Sequence, residues 1–249
     1  MTMLSLLLGQ EFVPAISAEP LQGGIEHSER LPQVDRNLLP GSVFQSQEKE
    51  KEKPTGEWVR IPSWLAGSWQ ADKETAVLRK DMKTGRESGN TPYFFQAKIR
   101  FSYGTQKDTG GGIWHYVSTP YTSATDLPEF TEYHRVLSKR FREVSDDKVT
   151  IATRVIVARV GRQSRLVEQA FQQESITTYS PLSDGFIKLS ASTETFDVQG
   201  SPLLLAKNEA KIKRVANFEP TDKAEGNDLK QMFREHLAKI GYGHLAPPM

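Results

Sequence analysis

From Trp58 onward the chain is written in short apolar runs broken by turn residues. The clearest run sets Phe95, Ala97, Ile99, Phe101 and Tyr103 against the alternating Gln96, Lys98, Arg100 and Ser102. A period of two predicts a strand with one buried face and one wet face. Ile113-Trp114-His115-Tyr116-Val117 is aromatic and β-branched, the side-chain types that fit a pleated, half-buried surface. Further strands are predicted over 74–80, 130–142, 148–160, 165–179, 185–198 and 207–218. Asp146-Asp147-Lys148, Gly161-Arg162-Gln163 and Ser183-Asp184-Gly185 separate these runs closely enough to make hairpins. About eight or nine strands with tight turns and no helices between them predict a mainly β fold, a single antiparallel up-and-down barrel.

One helical stripe stands apart. Leu229, Met232, Phe233, Leu237 and Ile240 recur at three- and four-residue spacing, Asn227 is placed to cap the start, and Gly241 supplies a left-handed stop. So narrow a stripe is expected to lie against the outside of the barrel.

The beginning of the chain has a different texture. Residues 19–56 are rich in Pro, Gly, Gln, Ser and charge, with an alternating Glu/Lys run ending at Pro54. Such a stretch offers little apolar surface to offset the entropy of ordering it, and it reads as a disordered linker. Residues 1–18 contain Leu4-Ser5-Leu6-Leu7-Leu8 and the small residues Ala15-Ile16-Ser17-Ala18. They read as the remnant of a secretory signal whose basic n-region is missing, which implies a periplasmic or extracellular protein; a cytoplasmic tail is the alternative. Residues 57–249 then form the barrel domain with its C-terminal helix.

Composition narrows the classes. With 32 Lys and Arg against 31 Asp and Glu, the net charge of +1 gives no electrostatic footprint for nucleic acid. The absence of cysteine removes disulfides, thiolate catalysis and thiolate metal sites. No apolar run reaches the roughly 20 residues that a membrane-spanning helix needs.

Ser63-Trp64-Leu65-Ala66-Gly67-Ser68-Trp69 opens the strand-rich part. Its Gly67-x-Trp69 resembles the opening motif of the lipocalins and the wider calycin group. That resemblance implies a barrel plugged at one end by Trp69, with a basic residue of the last strand lying across the indole. Lys213 and Arg214 are the candidates, and Arg214 is preferred because it shares a face with Ile212 and Ala216. The motif continues with Gln70-Ala71-Asp72 rather than the further glycines of nitrobindin-like haem proteins, so no cofactor is expected.

Candidate chemistry is sparse. Of the five histidines only His115 and His134 fall in predicted strands, and no pair has the close spacing of a metal site. There is no Gly-x-Ser-x-Gly turn, and Gly110-Gly111-Gly112 precedes a strand rather than a helix, so it reads as a hairpin loop. No catalytic residue is assigned. Tyr133, Arg135 and Leu137 share one face by simple alternation, and an inward Arg beside a Tyr is suited to an acidic head group. Tyr103, His115, Tyr133 and Arg135 are therefore the expected ligand-binding residues. The expected function is a binding or carrier protein for a small hydrophobic or amphiphilic ligand in a barrel cup. The alternatives are a structural or accessory envelope protein with a filled barrel, and a lyase or isomerase on a calycin-like barrel.

Overall fold

A computed structural model describes residues 27–44, 54–183, 185–224 and 226–248, with the backbone alone for 93–98. The residues read as a signal remnant lie outside the described residues, as do 19–26 and 45–53 of the linker.

In chain order the strands are β1 (Thr55–Ile61), β2 (Gly67–Asp81), β3 (Glu87–Ser88), β4 (Thr91–Tyr103), β5 (Gln106–Lys107), β6 (Ile113–Thr119) and β7 (Tyr121–Asp126). The long strands follow: β8 (Phe130–Val144), β9 (Val149–Gly161), β10 (Val167–Pro181), β11 (Phe186–Phe196) and β12 (Pro202–Ala216). The short β13 (Lys223–Ala224) and β14 (Asn227–Asp228) precede the helix α1 (Leu229–Lys239).

The fold is mainly β and antiparallel. Nine strands form one sheet in the order β3-β2-β12-β11-β10-β9-β8-β7, with β4 also paired to β2. The order is the meander that tight hairpins dictate, with each of β7 to β12 bonded to its neighbour in sequence. A second sheet, β1-β6-β5, has three strands. Among the described residues no sheet closes on itself through hydrogen bonds. The two sheets are joined by the chain instead: β4 runs past Gly104 into β5, and β6 runs through Thr119-Pro120 into β7.

Register assigns each side chain to a face. Trp69, Ala71, Tyr103, Val149, Ile151, Tyr179, Ile187 and Ile212 form the main core on one face of the large sheet. Ile61, with Val59 and Ile113 beside it, brings the small sheet onto the same core. The opposite face is dry at its far end, where Ile156, Ala158, Val160, Val167 and Ala170 cluster.

What covers that second cluster is residues 27–44. Leu31, Val34 and Leu38 are buried, and Val34 and Leu38 belong to the second cluster. Leu31 N–H donates to the Gly200 carbonyl at 2.9 Å, and Val34 N–H donates to that of Val198 at 3.0 Å. Buried Gln172 donates to the Pro32 carbonyl at 2.8 Å. Ser28 binds Glu174 through both its amide and its hydroxyl, each at 2.9 Å. This strap lies within the stretch read as linker; three apolar anchors at spacings of three and four, with backbone hydrogen bonds, hold it to the sheet.

The helix stands close to its expected place, with two differences. Its cap is Asp228, whose carboxylate accepts the Gln231 amide, while Asn227 is spent in the β13–β14 pair. Leu229, Phe233 and Leu237 are buried, but Ile240 is 41% exposed. Phe233 packs on Trp58 and Trp114 of the small sheet, at ring separations of 4.8 and 5.8 Å. Gly241 has φ +83°, where glycine is favoured.

Candidate functional site

The site is made by one extra residue in β8. Tyr133 pairs with Ala158 and Arg135 with Ile156, placing both on the strapped face. Between Val136 and Ser138 the register shifts, leaving Leu137 unpaired as a β-bulge. Beyond it Lys139 pairs with Thr153 and Phe141 with Ile151, so the odd-numbered residues now face the Trp69 core. The bulge exchanges the faces of the strand halfway along.

Tyr133 and Arg135 are consequently parted from Tyr103 and His115, correcting the expectation that the four share a cup. Tyr133 stacks on Phe44 of the strap at 4.2 Å. Arg135 lies 3.8 Å from Asp35 of the strap. Tyr103 and His115 do meet, edge to face, at a centroid distance of 5.2 Å. Phe141 lies 6.3 Å from the Tyr103 ring and 5.8 Å from the His115 ring. Tyr103 donates its hydroxyl proton to the Tyr179 oxygen at 3.2 Å.

Into this aromatic cluster the bulge delivers Lys139. Its Nζ lies 5.0 Å from the centre of the Tyr103 ring. No carboxylate among the described residues comes within 4.0 Å of it. Burial without an ion partner disfavours the charged amine and brings its pKa down to about 8. A cation–π contact returns part of the lost solvation but not all of it. His115 is driven the same way, to about 3, by burial first and by the Lys139 charge second. Its Nδ1 is buried without a partner among the described residues. Near neutral pH the site therefore holds one ammonium, one neutral imidazole and two protonated phenols.

Lys139 also lines a groove of about 590 Å³ between the free edge of β1 and β8. Thr55, Glu57, Ser138 and Arg140 mix there with Val117, Pro120 and Leu137, the Glu57 carboxylate lying more than 4.0 Å from the Lys139 ammonium. The arrangement offers a cation at the base of a part-polar, part-apolar trough. A group with negative charge is what that cation lacks.

The residues of the Gly-x-Trp motif adjoin this cluster, with Gly67 paired to Tyr103 and Trp69 to Phe101 across the β2–β4 ladder. Trp69 is fully buried and donates its indole N–H to the Leu65 carbonyl at 2.8 Å. Arg214, its cross-strand partner in β12, lies 4.6 Å from the indole. Lys213 pairs with Gln70 and so belongs to the other face. Gly67 takes φ +124°, and a Cβ there would lie 2.7 Å from the Ala216 carbonyl oxygen, so the backbones approach as only glycine permits.

The chain matches no family model, no curated protein and no solved structure. Among the described residues no group of three or more His, Asp or Glu side chains is placed to hold a metal, and no helix is long and apolar enough to cross a membrane.

Lys139 was not legible as a site residue. Strict alternation from Phe130 groups it with Tyr133 and Arg135 and so gives it the wrong neighbours, and nothing in Val136-Leu137-Ser138 marks the bulge that brings it to Tyr103 instead. The available signal was its chemistry: Lys139 and Arg140 are adjacent, so one of two cations had to face inward.

Proposed function

We propose that this protein binds a small amphiphilic molecule with an anionic head, held in the groove between β1 and β8 with the head against Lys139. The observation that carries the reading is an ammonium desolvated among aromatic rings without a carboxylate partner. The cost of burying that charge is already borne by the ligand-free fold, so an arriving carboxylate gains attraction while desolvating mainly itself. Apolar contact with Val117, Pro120 and Leu137 adds roughly 25 cal/mol per Å² of area removed from water. The mixed lining suits an amphiphile better than a pure hydrocarbon.

A calycin-like barrel is the scaffold we infer for this site. Arg214 over Trp69, the Gly67 close approach and the meander from β7 to β12 support it. So does the passage of the chain from β4 to β5 and from β6 to β7, which links the sheet edges where a barrel would close.

A second reading, a structural or accessory protein, has its own support. Trp69, Ile187 and Ile212 fill the core, and the groove lies beside it rather than within it. Titration of a dansylated medium-chain fatty acid and its methyl ester into wild type and Lys139→Met separates the two. Saturable binding of the acid, weakened at least about tenfold in the variant (1.4 kcal/mol) while the ester is unaffected, is the expected result. If wild type binds neither compound, the structural reading stands instead.

A further inference from the structure

A second cavity, of about 330 Å³, opens on the opposite face of the large sheet. Its floor is the register-matched set Ser138, Arg154 and Glu174, with Arg140 and Arg142 along one side. His27 and Ser28 of the strap form its rim. None of the three arginines has a carboxylate within 4.0 Å among the described residues. Glu174 is occupied by Ser28, whose amide and hydroxyl use one carboxylate oxygen each.

Two polar atoms here are buried and unpartnered: Arg154 Nε and His27 Nδ1. The rest of each side chain is committed. Arg154 donates from its terminal nitrogen to Gln172 at 3.3 Å, and His27 Nε2 lies 2.9 Å from the Ser192 hydroxyl. Both atoms can donate, Nδ1 either in the neutral tautomer in which Nε2 accepts from the Ser192 hydroxyl or once the imidazole is protonated. We propose that this cavity binds a phosphoryl group, with Arg140, Arg142 and Arg154 supplying the charge and His27 closing over it. Forked guanidinium donors match the oxygens of such a group, and several of them offset its double charge.

Local electrostatics agree with this. His27 is held below the usual histidine range by burial, with Arg142 and Lys207 pushing the same way and Glu174 opposing. Arg140 and Arg154 of the cavity wall add positive charge. Glu194, paired in register with Glu174, is held above the usual carboxylate range by burial and by Glu174. A bound phosphoryl group reverses the balance at His27 and makes its protonated form the better partner.

The test is the pH titration of His27 by NMR, on the full chain, with three probes. These are inorganic phosphate, pyrophosphate, and phosphatidylcholine vesicles with or without phosphatidic acid. The expected result is a rise of about half a pKa unit or more at His27 with at least one phosphoryl probe, saturating with concentration. Response to the soluble anions marks a free phosphate or phosphate ester as ligand; response to phosphatidic acid vesicles alone marks a lipid headgroup. Arg140→Gln and Arg142→Gln, both at exposed positions, should each reduce the probe-induced rise, measured from that variant's own probe-free His27 titration. An unchanged His27 titration with every probe overturns the proposal, as does a response in both variants as large as that of wild type.

Discussion

Arg214 and Trp69 face each other across the β2–β12 ladder, guanidinium over indole at 4.6 Å. The guanidinium also donates to the Trp64 carbonyl at 2.7 Å, so it ties the Trp64–Leu65 turn to the core beside Trp69. Trp69→Ala should cost about 3–5 kcal/mol, the range for truncating a large buried aromatic. Arg214→Ala should cost less, about 1–2 kcal/mol, because the cation–π and hydrogen-bond contributions are each near one. Chemical denaturation of both variants checks the order; equal losses would mean that the indole owes its place to Arg214.

Lys139 makes a trade of stability for binding. In the unfolded chain its amine titrates near the ordinary lysine value, and in the fold near 8. The penalty of the buried charge is fully present below about pH 8 and is relieved as pH rises toward 10.5, so this residue's contribution to stability improves across that window. Lys139→Met should therefore raise stability at neutral pH by about 1–3 kcal/mol, and should flatten the alkaline part of the stability profile. Melts of wild type and variant from pH 7 to 11 read both effects. Loss of stability in Lys139→Met would place the ammonium in a network that the geometry does not contain.

His115 sets the acid side. Its folded value of about 3 lies below its ordinary 6.5, so the fold loses stability as pH falls from 6.5 toward 3, where the unfolded chain takes up a proton first. His115→Phe should keep the edge-to-face contact with Tyr103 and make the acid limb shallower. NMR should find the wild-type His115 neutral at pH 5, where an ordinary histidine is mostly protonated.

The strap is expected to stabilise the sheet it covers. Leu38→Ala should cost about 2–3 kcal/mol, and removing everything before residue 54 should cost more than that. Calorimetry on full-length and truncated protein measures the difference. A truncated chain that melts where wild type does would leave the strap without an energetic role.

How much of this was written in the sequence depends on what each feature needs. Alternation placed Phe101 and Tyr103 together on the core face, because strand geometry enforces a period of two. The same rule groups Tyr133 with Lys139 incorrectly, because one unpaired Leu137 resets the count and sends them to opposite faces. The Gly67-Ser68-Trp69 motif located a fully buried indole, since so large a ring beside a glycine close approach has few places to go. In the strap, Leu31, Val34 and Leu38 stood among Pro, Gln and charged residues, and a low average concealed three well-spaced anchors. Composition averages over positions; packing does not.

The strap also has a consequence for the order of folding. Ser28 is bonded to a partner 146 positions further along the chain, and Pro32 to one 140 further. Closing loops of that length carries an entropic cost that short hairpins avoid. The meander from β7 to β12 can zip from neighbour to neighbour, whereas the strap has nothing to dock on until β10 and β11 exist. During synthesis it emerges before any strand, yet its landing surface follows on the order of ten seconds later at typical translation rates. Leu31, Val34 and Leu38 stay wet through that interval. The first of the described residues to be made is then among the last to reach its final contacts.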